Sequence, residues 1–315
     1  MIAAVGAFDG FHRGHRALLD RAAARASENG ASWGVVTFTR HPDRLFCGAE
    51  RALNAESFKS LFSPLEQRTL EQFFSIPDVR RINFTRTIAR MSPEEFLDYI
   101  SDRFSVDGIV VGEDFRFAKD RSGTPEYLAG ACAARGWSLD VVPLLHGTDG
   151  VAISSTVIRA AASSGEMRCA WELLGYPFFC ASRVIRGNSR GAALGFPTAN
   201  VEIDPDKIIL RGGVYAALVC CEGSWFAGAV NIGFNPTFGD VTERRFEINL
   251  IGYEGDIYGH GIAVFLLDHI RDEVRFDSPD DLKAQIAKDT VTIRSVSFEV
   301  LESHRSLWEK FAAIL

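Results

Sequence analysis

His12 and His15 stand three residues apart in AVGAFDGFHRGHRALL (residues 4–19), a stretch that also holds Gly6, Gly10 and Gly14. If the turn is helical the two imidazoles face one side, where they can hydrogen-bond phosphate oxygens or neutralise their charge. The glycines let a backbone approach a ligand closely. A helix beginning near Gly14 would add free N–H groups and the positive end of its dipole. Two surface histidines beside a glycine turn would be spelled the same way, so the neighbouring stretches matter. VGEDFRFAKDRSG (111–123) presents Arg116, Lys119 and Arg121 after an apolar run, and AISSTVIRAA (152–161) sets Ser154, Ser155 and Thr156 ahead of a helix carrying Arg159. Capping hydroxyls and a forked guanidinium both suit phosphate, although an ordinary N-cap with a solvated arginine uses the same letters. Three such anion seats, each after an expected strand of one sheet, are harder to dismiss than one.

A second constellation lies downstream. RVIRGNSRGAALGFPTANVEI (183–203) carries Gly187, Gly191 and Gly195, then Thr198 and Asn200, which project to one face if the segment is extended. A hydroxyl and an amide oxygen are hard ligands suited to Mg²⁺ shared with nucleotide phosphates. A loop with a turn-forming Pro197 and Asn200 is the plain alternative, and the spacing is not that of a Walker loop. In RRFEINLIG, alternation sets Phe246, Ile248 and Leu250 on one face and Arg245, Glu247 and Asn249 on the other. Glu247 is a solvent-facing carboxylate or, where that face lines a site, a base for a hydroxyl attacking a γ-phosphate.

Elements must hold these residues. Short apolar runs alternate with amphipathic stretches over the first half: IAAVG, then HRALLDRAAARASENG; WGVVTF, then SPLEQRTLEQFF; GIVVG, then TPEYLAGACAARG. That alternation predicts an α/β domain with an open parallel sheet covered on both faces. In MSPEEFLDYI, Ser92 caps, Pro93 takes the first helical position and Glu95 completes a capping box. After a helical SSTVIRAAASSGEMRCAWELLG, the pattern changes near residues 175–182. The runs SRVIRG, GVYAALVCCEG, SWFAGAVNIG, RFEINLIG and IAVFLLD predict an antiparallel barrel or sandwich, closed by two helices around SPDDLKAQIAKD and SFEVLESHRSLWEKFAAIL. Two domains follow, 1–176 and 177–315.

Composition agrees with a packed enzyme. The chain has 315 residues, 47% hydrophobic and 24% charged, and a net charge of -7 that argues against a general nucleic-acid binder. Cysteines 47, 132, 169, 180, 220 and 221 form no C-x-x-C pair and read as reduced thiols filling small apolar sites. No apolar stretch approaches the ~20 residues of a membrane span, and no leader pattern opens the chain, so a cytoplasmic protein without a membrane partner is expected. Assembly into a homo-oligomer is compatible with the sequence.

GAFDGFHRGH resembles the G-x-F-D-x-x-H-x-G-H signature of nucleotidylyltransferases. Together with TFTRHP, VGEDFRF and ISSTVIR it is similar to the bacterial bifunctional riboflavin kinase/FMN adenylyltransferase (FAD synthetase) family. LGFPTAN, GVYAALV, NIGFNPTFGD, FEINLIGYEGDIYG and IRDEVRF resemble that family's kinase module in the same order. The resemblance spans nearly the whole chain. It implies a Rossmann-like N-terminal nucleotidylyltransferase domain that moves AMP from ATP to FMN, and a C-terminal β-barrel with terminal helices that phosphorylates riboflavin. ATP would be the co-substrate and Mg²⁺ the cofactor. Riboflavin, FMN and FAD would be the other small-molecule partners.

By the same resemblance His12 and His15 meet the ATP phosphates, with Gly6, Phe8, Asp9 and Gly14 around them. Ser154, Ser155, Thr156 and Arg159 hold the pyrophosphate side, and Asp114, Phe115 and Arg116 lie near the nucleotide and flavin. In the kinase half Gly187, Gly191 and Gly195 wrap phosphates, Thr198 and Asn200 take the metal, and Glu247 activates the riboflavin 5′-hydroxyl. Asn235, Pro236, Thr237 and Arg271 neighbour the substrates. Four positions depart from the usual pattern: Ala7 for Asn, Ala118 for Gly, Ala192 for Arg and Asn249 for His. A kinase whose N-terminal domain only binds flavin or nucleotide is therefore an alternative, as is a non-catalytic nucleotide binder. A nucleotidylyltransferase for another substrate would leave the second constellation without a purpose.

Overall fold

Small and β-branched residues at Ile2–Val5 form β1, the centre of the first sheet. The computed structural model describes residues 1–46, 58–185, 198–236 and 242–315. After β1 come α1 (Arg13–Asn29), β2 (Trp33–Phe38), α2 (Asp43–Phe46), α3 (Pro64–Phe73), β3 (Val79–Ile82), α4 (Arg86–Ala89), α5 (Pro93–Phe104), β4 (Gly108–Gly112), α6 (Pro125–Arg135) and β5 (Ser138–Val142). The sheet order is β3-β2-β1-β4-β5 with every pairing parallel. β1 and β4 are apolar without alternation because helices cover both faces, and Ile2, Ala3, Ala4, Val110 and Val111 are all fully buried. The chain runs outward from β1 to β3, then returns to place β4 on β1's other side. That reversal makes a switch point beyond the carboxyl ends of β1 and β4, the place where open α/β sheets hold their ligands.

Local chemistry agrees with the expected helices. Ser92 and Glu95 form the predicted capping box on α5, and α1 ends at Gly30 in the left-handed region. Arg21 and Arg25 of α1 both bond Asp140 of β5, at 2.8 and 2.7 Å, tying helix to sheet.

By contacts the chain divides into two compact units, Met1–Ser60 with Leu70–Ser155, and Leu61–Thr69 with Thr156–Leu315. The second unit contains α7 (Ser155–Ser163, from Thr156 on), α8 (Met167–Leu174), β6 (Phe179–Ile185), β7 (Ala199–Val201), β8 (Gly213–Cys221), β9 (Ser224–Pro236), β10 (Thr242–Ile251), β11 (Gly261–Arg271), α9 (Pro279–Ser303) and α10 (Arg305–Ala312). Its strands close a barrel in the order β10-β7-β6-β11-β8-β9, all antiparallel. The single helix expected from SSTVIRAAASSGEMRCAWELLG is two helices, because Gly165 turns at φ 84° between them. The first C-terminal helix extends through SFEVLES to Ser303, later than expected. Phe265, Trp308 and Phe311 cluster at 4.7 to 6.5 Å and join α10 to β11.

Leu61–Thr69 belongs to this unit through a buried ion pair. The Glu66 carboxylate accepts from Lys207 Nζ at 2.6 Å and from the backbone of Ser63 and Ala181 at 2.7 and 2.9 Å. Lys207 also donates to Phe179 O at 2.6 Å and lies over the Phe62 and Phe178 rings. With 2% and 3% of these side chains exposed, the charges are met by each other and by these bonds rather than by water. Cys180 nearby is pushed up to about 11 by burial, so it stays a thiol. Cys132, Cys220 and Cys221 are also buried thiols, but Cys169 on α8 is exposed, against the expectation of a small apolar filler. Cys47 lies outside the described residues.

Candidate functional site

The signature stretch follows β1, at the topological switch point of the sheet. His12 is not the first helical residue but the N-cap of α1: its Nδ1 accepts from His15 N at 3.3 Å, fixing the ring over the helix start. The His12 and His15 rings therefore stack, with centroids 3.6 Å apart and planes at 18°. The spacing of three brings the imidazoles together, as the sequence suggests, through a cap rather than a shared helical face. Gly14 makes the stack fit, since a Cβ there would lie 3.2 Å from the His12 ring and 3.5 Å from Ile153 O.

Beneath the imidazoles the backbone is held in an uncommon shape. Phe8 and Phe11 have φ of 49° and 41°, and Gly10 lies between them at 92°. Left-handed backbone at bulky residues persists only where the surroundings over-determine it, and it gathers at functional turns. Here both phenyl rings are buried, at 0% and 1% exposure, and stack 5.5 Å apart. Phe8 lies 5.1 Å from the His15 ring, so it serves the site as a wall beneath His15. Gly6 is where that wall passes, 3.2 Å from a would-be Cβ. Thr37 Oγ1 donates to Ala7 O at 3.1 Å, and Ser155 Oγ donates to Asp9 O at 2.9 Å. Ser155 thus closes the turn from the start of α7.

His15 titrates well below the ordinary imidazole value of 6.5, first because it is desolvated, then because His12 and His41 press on it. Its Nδ1 is buried and has no hydrogen-bond partner among the described residues. His41, within TFTRHP, is a third imidazole that spacing does not single out. It comes from the end of β2, next to β1, and stacks on Phe58 at 4.2 Å. His15, kept neutral by burial and stacked on His12, is placed to form hydrogen bonds when an anion arrives.

The other expected residues of this half are dispersed. Asp114 and Arg116 are exposed just after β4, with Arg116 Nη1 donating to Phe115 O at 2.7 Å. Phe115 packs on the first core and stacks with Phe117 at 5.5 Å. Ala118, where the family pattern has Gly, adopts φ 63° and ψ -174°, a conformation glycine takes without strain. Ser154 and Ser155 belong to the first unit, Thr156 and Arg159 to the second, and Arg159 Nη2 donates to Thr156 Oγ1 at 3.2 Å one turn along α7.

In the barrel, register does the positioning. Glu247 of β10 is the direct antiparallel partner of Asn200 on β7, and Thr198 precedes Asn200 by two residues. Directly opposed residues share a face with Cβ atoms about 5 Å apart. The alternation expected for RRFEINLIG holds: Phe246, Ile248 and Leu250 are buried, while Arg245, Glu247 and Asn249 are partly exposed. Arg245 Nη1 lies 3.5 Å from Glu247 Oε1. Arg271 closes β11, bonded through Nε and Nη2 to the buried Asp289 of α9 at 2.9 and 2.8 Å. Asn235 and Pro236 end β9, opposite Glu243 and Thr242. Gly187, Gly191, Gly195 and Thr237 lie outside the described residues. The amide oxygen of Asn200 and the carboxylate of Glu247, paired across the ladder, are hard oxygen donors of the kind that fits Mg²⁺, and the Thr198 hydroxyl precedes Asn200 by two residues on the β7 side.

Residues 1–157 match the family described as FAD synthetase, and residues 174–297 match the family described as riboflavin kinase. The chain is 32% identical over 297 residues to the bifunctional riboflavin kinase/FMN adenylyltransferase of Pseudomonas fluorescens, covering 94% of this chain and 93% of that one. It is 33% identical to the protein of that name from Escherichia coli strain K12, covering 92% and 90%. A crystal structure described as a macrolide-efflux protein from Streptococcus pneumoniae superposes with a TM-score of 0.83 at 30% identity, covering 93% of each chain. Among the described residues no helix of the present chain is long and apolar enough to cross a membrane.

Proposed function

The chain belongs to the bifunctional riboflavin kinase/FMN adenylyltransferase family and makes FMN and then FAD with ATP, and from that premise we propose how its residues divide the work. The first module, residues 1–176, transfers AMP. The second, 177–315, is the kinase.

In the first module the FMN phosphate oxygen attacks the α-phosphorus of ATP, and the bond to the β-phosphate breaks, releasing pyrophosphate. His12 and His15 donate hydrogen bonds to the phosphates as charge shifts toward the leaving group. Gly6, Phe8, Asp9 and Gly14 hold the turn that aims them. The hydroxyls of Ser154, Ser155 and Thr156 at the start of α7, with Arg159 one turn on, take the pyrophosphate side. Asp114, Phe115 and Arg116 border the flavin. No covalent intermediate is needed, so catalysis is positioning plus charge stabilisation.

In the second module Glu247 accepts the proton of the riboflavin 5′-hydroxyl as its oxygen attacks the γ-phosphorus and the bond to ADP breaks. Thr198 and Asn200 would hold Mg²⁺, which when bound neutralises the nucleotide phosphates. Asn235, Pro236, Thr237 and Arg271 border the substrates, and the loop with Gly187, Gly191 and Gly195 covers the phosphates. The protein works in the cytoplasm, where the flavins and ATP are, and can assemble as a homo-oligomer.

The register that sets Glu247 against Asn200 carries this reading of the kinase half. A chromatographic assay from riboflavin, ATP and Mg²⁺ tests the whole, with FMN expected first and FAD following. FMN that accumulates without FAD in folded protein would reduce the first module to a binding domain.

A further inference from the structure

Glu247 has a neighbour on its other flank. Asn200 faces it from β7, and Asn231 of β9 is its direct antiparallel partner on the opposite side. The row continues from Asn231 to Val214 of β8, and from Val214 to Arg271 of β11. The alternate residues Val230, Ile232, Phe246 and Ile248 are 0 to 5% exposed. They fill the barrel, so Asn231 and Glu247 share its outer face.

We propose that Asn231 is a positioning residue of the kinase reaction, whose amide orients the Glu247 carboxylate and the incoming sugar-alcohol hydroxyl for proton transfer. This rests on the reading of Glu247 as the base. An amide carries both donors and an acceptor, so it can bond Glu247 while that group is a carboxylate and again once it holds the proton. Arg245 Nη1 stands 3.5 Å from Glu247 Oε1.

The space beside Asn231 is kept open by a glycine. A Cβ at Gly233 would lie 3.7 Å from Asn231 Nδ2 and 2.7 Å from Glu273 Oε1, and Gly233 is the register partner of Arg245. Amide and carboxylate therefore border the same bare stretch of β9. At the far end of the row Arg271 is held by Asp289, which Gln285 also bonds at 2.8 Å. The row has a fixed cation at one end and the expected metal ligand Asn200 at the other, with Asn231 and Glu247 between.

The full-length protein is assayed for FMN formation from riboflavin and Mg-ATP, and separately for FAD formation from FMN and Mg-ATP. Asn231→Leu, similar in size but without the amide, is expected to lower kinase kcat roughly tenfold, the scale of one hydrogen bond to a charged group. The KM for ATP and the rate of FAD formation should not move, and Asn231→Ser should recover part of kcat. An unchanged kcat in the Leu variant overturns the proposal, and so does a change confined to KM. If the Leu variant loses both activities through misfolding, Asn231→Ala and Asn231→Ser decide. Kinase loss confined to Ala supports the assignment, and loss in neither overturns it. Glu247→Ala separates this inference from the reading beneath it. If that variant still forms FMN, the base assignment fails. If FMN formation stops while every Asn231 variant is intact, only the role of Asn231 fails.

Discussion

In the parallel sheet the chemical groups hang on a turn. His12 caps α1, His15 stacks on it, and the backbone beneath passes through left-handed conformations at Phe8, Gly10 and Phe11. In the barrel the groups stand on straight strands, and Asn200, Glu247 and Asn231 are aligned by ladder register alone. A turn can aim side chains where no regular element would, but it must be forced into shape by buried rings. A ladder holds its groups without strain, yet a slip of one residue would turn Glu247 into the barrel interior. The two halves should therefore fail to different insults.

The largest separation is catalytic. Glu247→Ala should cut FMN formation by on the order of 10³-fold and leave FAD formation from supplied FMN intact. His15→Ala should do the reverse, lowering FAD formation by about 10²-fold or more. Loss of both reactions in either folded variant would erase the contrast between turn and ladder. Next in size is a loss of stability. Glu66→Gln leaves Lys207 as an uncompensated buried cation and should cost about 3 kcal/mol. Measured by heating, FMN formation should then be lost at a lower temperature than FAD formation, and equal shifts of both would show that the pair does not act on the barrel alone.

Acid should act on the other half. Above pH 6.5 His15 is neutral whether the chain is folded or not. As pH falls below that value the unfolded chain takes up a proton that the buried imidazole refuses, so folding loses up to about 1.4 kcal/mol per pH unit until the depressed folded value is reached. Melting curves between pH 7 and 5 should show this slope, and His15→Gln should reduce it. An identical slope in the variant would assign the acid sensitivity elsewhere. The smallest effect is expected from Ala118→Gly, which relieves a backbone strain in the segment after β4 and should add about 1 kcal/mol. A lower melting temperature would mean that this segment is not strained as its angles indicate.

Much of the architecture was legible. Strand-helix alternation identified the parallel sheet, the capping box at Ser92 marked α5, and period-two alternation placed Glu247 on the polar face of β10. These are properties of short segments, read from residues that touch one another along the chain. The break at Gly165 was harder, because a lone glycine in a helical pattern either persists or bends. The use of His12 as a cap was hidden because histidine is not among the usual N-cap residues.

By itself the sequence determined which chemistry was available: imidazoles after a glycine turn, hard oxygen donors before a strand, and a carboxylate on an outward face. It also determined the order of the modules, since each motif is contiguous. Only the tertiary structure decided which of these groups meet. The return of β4 beside β1, the pairing of β10 with both β7 and β9, and the seating of Glu66 against Lys207 join residues up to 141 positions apart. Such meetings depend on which strand ladders and buried faces close first on each other, and local propensity carries no record of that competition.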